Sequence, residues 1–272
     1  MQSQLVFQEK NEIKRLRVQN ELLACYEAPV FAQIFSEGQN LAVLDIGCND
    51  GTKTIERFTS DQVSCVIGLE YNEVLAAKAQ KVYGNERFSF YPLDVEAEDF
   101  AERLRIIMND KKIDGFDVIY LSFVLMHLFD VKGLLIALRP FLKTDGKLFV
   151  IEANDVASTL TGDKNGLLGE FLEMLKKDRY SGNREVGATV CETLSACGYE
   201  SINVWHGACA EVEVTYLRVT HLTVRKTYGL AACLESGHRV VLAEALDVGS
   251  SLSVDDIRLI LSSLAPSVED HK

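Results

Sequence analysis

Several protein classes are set aside by what this chain lacks. Its 272 residues include only four prolines and no low-complexity run, which argues against long linkers. No apolar stretch reaches membrane-spanning length, so no transmembrane helix is expected. The first ten residues have no basic start followed by an apolar run, so no secretory signal is expected there. Seven cysteines form no Cys-x-x-Cys pair, and an odd number cannot all pair within one chain. A reduced cytoplasmic setting is the simpler reading. Basic residues are outnumbered 28 to 40, giving a net charge of −12. A polyanion would meet repulsion over most of such a surface. The densest basic groups, at 10–17 and 225–226, lack the interleaved aromatics of a single-strand binder. This argues against nucleic acid as the partner. Two nucleotide fingerprints are also missing. From Gly47, G-x-G-x-x-G needs glycine at 49 and 52, where the chain has Asn49 and Thr52. No Gly-Lys-Ser/Thr follows a glycine loop either.

What is present begins with Val43-Leu44-Asp45-Ile46-Gly47-Cys48-Asn49-Asp50-Gly51. An apolar strand feeds an acidic residue and two glycines four apart, and a helical segment follows at 52–58. Glycines at such a turn let backbone pass close to a ligand. A second apolar strand, 65–69, ends in Glu70. A third, 88–91, leads through Pro92 and Leu93 to Asp94. Successive βα units thus deliver a glycine turn and carboxylates to the carboxyl ends of strands, where open parallel sheets bind ligands. Asp45 would repel a pyrophosphate and suit a cationic ligand.

The run Asp45-Ile46-Gly47-Cys48-Asn49-Asp50-Gly51 resembles the first motif of class I S-adenosylmethionine-dependent methyltransferases. The resemblance spans roughly 41–152. It implies that Glu70 holds the ribose hydroxyls and that Asp94, with Val95 beside it, receives the adenine amino group. The fourth strand, 116–122, runs into Phe123-Val124-Leu125-Met126-His127-Leu128, similar to the family's segment lining the transfer site, with Ser122 and Phe123 at the cofactor. Residues 138–152 resemble the helix, tight turn and fifth strand that follow. Asn49 stands where many members have glycine, and asparagine tolerates a left-handed backbone. Cys48 offers its backbone and a small side chain. Tyr71 either packs on the cofactor or belongs to the core. Asn11-Glu12-Ile13-Lys14-Arg15-Leu16-Arg17-Val18-Gln19 resembles the leader helix of small-molecule members, which packs over the cofactor and would bring Gln19 to it. A solvated helix face is the plain alternative.

The implied architecture is α/β: a doubly wound, mostly parallel seven-stranded sheet of Rossmann-like methyltransferase type. An N-terminal helical lid (1–38) precedes the S-adenosylmethionine-binding domain (39–225), and a helical extension (226–272) follows it. Strands are expected at 201–205 and 217–224. Helices are expected at 9–35, 166–177, about 183–197, from 225 to about 245, and from 253. Chemistry then follows from the donor, which brings its own leaving group, so positioning matters more than covalent help. His127 is the candidate base; capping or packing beside the cofactor is the plainer reading. Glu152, Asn154 and Asp155 follow the fifth strand and could orient an acceptor. A metal is not expected, since no further spaced His or Asp cluster joins them. The expected activity is methyl transfer to an oxygen or nitrogen of a small-molecule acceptor. A methyltransferase acting on RNA or protein, and a cofactor-binding sensor without transfer chemistry, stay open as alternatives. Oligomeric state is not legible.

Overall fold

The computed structural model describes residues 10–154, 156, 159–161, 170, 173, 182–204, 208–213 and 223–227. They fall into two compact units. One comprises Leu22–Glu152 and Thr189–Val204, and the other takes the described residues outside those ranges.

The first unit is an α/β sheet structure. Its strands are β1 (Leu41–Ile46), β2 (Val63–Glu70), β3 (Phe88–Pro92), β4 (Phe116–Ser122) and β5 (Leu142–Ile151). They lie in the order β3-β2-β1-β4-β5, and every adjacent pair is parallel. The strand order reverses between β1 and β4, which makes the crevice at their carboxyl ends the natural ligand site. Helices α2 (Thr52–Arg57), α3 (Glu73–Tyr83), α4 (Phe100–Lys111) and α5 (Val131–Leu138) follow β1 to β4 in turn. Local chemistry sets their ends. Asn72 Oδ1 accepts from the Val74 and Leu75 N–H groups and caps α3. Asp130 accepts from the Gly133 N–H and caps α5. Gly51 opens α2 at φ 80°. Single 3-10 turns occupy Leu125–His127 and Arg139–Phe141.

All six residues of β1 are buried, as expected of a parallel strand covered on both faces. Helix α1 (Lys10–Ser36) supplies part of the cover. From Leu23 onward its buried residues are Leu23, Glu27, Val30, Phe31, Ile34 and Phe35, a stripe at helical spacing. Phe31 is the hub of an aromatic cluster. Its ring centroid lies 5.4 Å from that of Phe35, 5.3 Å from Phe58, 5.4 Å from Tyr120 and 5.1 Å from Phe149. Helix α6 (Val186–Ala196) is followed by Gly198 at φ 82°, the expected stop.

The second unit contains a three-stranded antiparallel sheet of β6 (Thr159–Thr161), β7 (Ala208–Glu213) and β8 (Thr223–Thr227), in the order β6-β8-β7. Here the sequence expectations need correction. Among the described residues the parallel sheet has five strands. Residues 201–204 form no strand, because Ser201 sits at φ 54° and Val204 is exposed. The strand expected at 217–224, as one of a closing antiparallel pair, overlaps β8, which is antiparallel to β6 and β7 in a separate sheet. The helix expected from 225 is also displaced at its start, since β8 continues to Thr227. The helix expected at 166–177, apart from Glu170 and Glu173, and those beyond 227 lie outside the described residues.

Candidate active site

The turn after β1 is built on left-handed backbone, with Gly47 at φ 74°, Asn49 at 51° and Gly51 at 80°. A Cβ on Gly47 would sit 2.7 Å from Val124 Cγ2, and one on Gly51 would sit 3.0 Å from Ala79 Cβ. Both glycines are therefore required by conformation and by space.

The donors of this turn are all in use. Gly47 and Cys48 N–H both donate to the Leu69 carbonyl, at 2.8 and 3.0 Å. Asn49 N–H donates to Glu70 Oε2 (2.9 Å), and Asp50 N–H to Asn49 Oδ1 (2.7 Å). Gly51 N–H donates to the Cys48 carbonyl (3.0 Å), and Thr52 N–H to Asp50 Oδ1 (3.2 Å). A phosphate cradle needs such N–H groups free. This turn offers acceptors to a ligand, not donors.

Acidic groups surround it. Asp45 is only 3% exposed, and its Oδ2 accepts from Thr54 Oγ1 at 2.6 Å. Burial pushes its carboxyl up to about 7, against the opposing effects of the Thr54 hydroxyl and the Lys53 ammonium. Glu70 closes β2 with both oxygens fixed: Oε2 holds Asn49 N–H, and Oε1 holds Asn72 N–H at 2.9 Å. Burial raises its pKa, and the backbone N–H groups of Asn72, Asn49 and Tyr71 act against that. Asp94 Oδ1 accepts from Glu96 N–H at 2.9 Å, and Val95 beside it is half-buried. Tyr71 is exposed. Cys48 is buried and its thiol is pushed well up by that burial, so it is no nucleophile.

Past β4, Phe123 takes φ 55° and its N–H donates to the Ile151 carbonyl at 2.8 Å. Leu125 N–H donates to the buried Glu152 Oε1 at 2.6 Å. Glu96 Oε1 accepts from both Phe129 N–H (2.7 Å) and Asp130 N–H (2.9 Å). These bonds hold the segment bearing His127, which is exposed and whose N–H donates to the Val124 carbonyl at 3.0 Å. Asn154 is half-buried, and Asp155 lies outside the described residues. Among the described residues no group of three or more His, Cys, Asp or Glu side chains is arranged to hold a metal. Gln19 lies on α1, and its side chain is outside the described residues.

A second cluster was not foreseen. Glu27 of α1, 1% exposed, accepts from Lys53 Nζ (2.8 Å), from Arg57 Nε and from Tyr120 OH (2.5 Å). Lys53 Nζ also donates to Ser122 Oγ at 2.8 Å. The available signal was a glutamate at a core position of the α1 stripe.

Residues 44–148 match the family model described as a methyltransferase domain. Over that stretch the chain is similar to methyltransferase domains. It is similar in fold to several solved methyltransferases. The trans-methyltransferase CalH in complex with SAH is 15% identical, with a TM-score of 0.51, covering 83% of this chain and 61% of its own. Magnesium protoporphyrin IX methyltransferase from Synechocystis PCC 6803, with bound SAH, is 15% identical, with a TM-score of 0.49, covering 81% of this chain and 95% of its own. An S-adenosylmethionine-dependent methyltransferase from Mesorhizobium loti is 17% identical, with a TM-score of 0.45, covering 73% and 96%. At these identities the likeness concerns the fold. No curated protein matches.

The methyl donor of such domains is S-adenosylmethionine. The residues present fit that molecule. A cationic sulfonium and an ammonium need acceptors, and the turn supplies carbonyl oxygens and Asp45. A ribose and an adenine amino group need carboxylates at strand ends, and Glu70 and Asp94 stand there. No helix among the described residues is long and apolar enough to cross a membrane.

Proposed function

We propose that this methyltransferase transfers the methyl group to an oxygen or nitrogen of a small-molecule acceptor in a reducing cytoplasm. The observation that carries the donor side is the glycine turn with every N–H internally bonded, flanked by Asp45, Glu70 and Asp94. S-adenosylmethionine supplies an activated methyl group on a sulfonium whose leaving group is a neutral thioether. Glu70 holds the ribose hydroxyls. Its two backbone bonds fix the carboxylate before the ligand arrives, so little ordering remains to be done on binding. Asp94 accepts from the adenine amino group. Ser122 and Phe123 line the transfer side. His127, exposed and so within reach of an acceptor, takes the acceptor proton on an imidazole nitrogen. The small-molecule reading rests on the net charge of −12, which disfavours a polyanionic acceptor. The cytoplasmic reading is supported by Cys48, Cys65, Cys191 and Cys197, all free thiols.

The test is calorimetry with S-adenosylhomocysteine. Wild type should bind it and not NAD. Glu70→Ala should lose two charge-assisted hydrogen bonds, costing about 2–4 kcal/mol. Unchanged affinity in that variant would remove the ribose assignment.

A further inference from the structure

The donor carries a carboxylate as well as an ammonium, and the glycine turn has no N–H left for it. At the start of helix α2, which is six residues long, the Thr52 and Ile55 N–H groups are bonded as well. Two described cations reach this end of the sheet: Lys78, paired with Asp50 Oδ2 at 2.9 Å, and Lys53. Lys53 stands two residues past Gly51, and its Nζ reaches Ser122 Oγ at the carboxyl end of β4. Strands β1 and β4 are neighbours, so this ammonium sits at the point where the strand order reverses.

We propose that Lys53 is the residue that recognises the carboxylate of the donor's amino-acid tail, and that Glu27 positions its ammonium for that purpose. The proposal rests on the donor reading given above and adds a residue to it. An ammonium has three N–H groups. Among the described residues two acceptors are in reach, Glu27 Oε1 and Ser122 Oγ, with the Tyr120 ring 5.3 Å away. Charge points the same way. Glu27 is shared between Lys53 and Arg57, and Arg57 has a further carboxylate, the exposed Glu56, at 3.8 Å. Lys53 is left with part of one carboxylate. It is a side chain only 14% exposed, where an unbalanced charge is costly. A ligand carboxylate completes the balance. Asp45, near its midpoint at neutral pH, supplies only part of it. The tail's own ammonium then faces Asp45 and the turn's carbonyls, so opposite ends of the zwitterion meet opposite charges.

The test compares two ligands that differ in the tail. S-adenosylhomocysteine has the carboxylate, while 5′-methylthioadenosine keeps the nucleoside and thioether and lacks the amino acid. Lys53→Met should weaken S-adenosylhomocysteine by about 10- to 100-fold and leave methylthioadenosine unchanged, measured by calorimetry well below the melting temperature. Lys53→Arg should restore most of the difference. Glu27→Gln should lower the affinity for S-adenosylhomocysteine alone, and by less. Equal weakening of both ligands would mean that Lys53 only supports the fold, and no weakening of either would also overturn the proposal. If Lys53→Met does not fold, Lys53→Gln removes the charge but keeps donors for Glu27 and Ser122, and the same ratio decides. Wild-type protein that binds neither ligand would instead defeat the donor reading itself.

Discussion

Asp45 shows how much one buried carboxyl can report. Its ordinary value is 3.8 and burial takes it to about 7, so the folded state holds this proton more tightly than the unfolded chain. The stability contributed by the neutral form is complete at about pH 4 and is lost as pH rises through 7. The loss is on the order of 4 kcal/mol at most. Asp45→Asn should therefore raise the melting temperature of the ligand-free protein most at pH 8 and less at pH 5, as scanning calorimetry would show. A cationic ligand reverses the preference by favouring the ionised form. S-adenosylmethionine should bind more weakly below pH 7, by up to about tenfold per pH unit, and release a proton on binding. S-adenosylhomocysteine, which lacks the sulfonium charge, should show a shallower slope. Equal slopes for the two would place Asp45 away from the sulfonium. His127 predicts a different profile, in rate instead of affinity. His127→Ala should cut turnover by roughly 10²–10⁴ and barely touch donor affinity. A variant that loses donor affinity instead would mark His127 as a packing residue.

Elements were legible where one physical signal dominated. The first four strands of the parallel sheet appear where apolar runs met glycine or acidic stops, and β4 has the expected bounds, Phe116–Ser122. Helix α1 was readable as a helix, at Lys10–Ser36. Its buried stripe was not. The apolar spacing at Ile13, Leu16, Leu22 and Leu23 was visible, but the face that packs on the sheet runs through Glu27, which a hydrophobic pattern skips. Its partners, Lys53, Arg57 and Tyr120, are distant in sequence, so periodicity along α1 marks the position but not the bonds it makes. Phe31 gives a measure of what α1 contributes. Truncation to alanine would empty the centre of four aromatic contacts. It should destabilise the fold by about 3–5 kcal/mol, read from urea denaturation, with the slope of the transition unchanged. A loss under 1 kcal/mol would mean that α1 is only loosely docked.

For the molecule as a whole, the parallel sheet was readable and the second unit was not. The parallel core repeats one grammar, strand to turn to helix, and each unit carries its own punctuation. The three-stranded antiparallel sheet has no such grammar. Its strands come from 159–161, 208–213 and 223–227, and their pairing depends on contacts far apart in the chain. A short β-rich stretch reads equally well as the edge of one sheet or the middle of another, which is why the partners of β8 were not legible. One small feature of the core has a wider meaning. Strands β3 and β4 never touch, since β2 and β1 lie between them. Yet Glu96, from the loop after β3, grips two successive amides after β4. The carboxylate is a tie-rod thrown across two strand ends, and its length fixes how far apart the Asp94 and His127 loops stand. The gauge of the crevice between those loops thus follows the reach of one surface glutamate, one methylene longer than an aspartate.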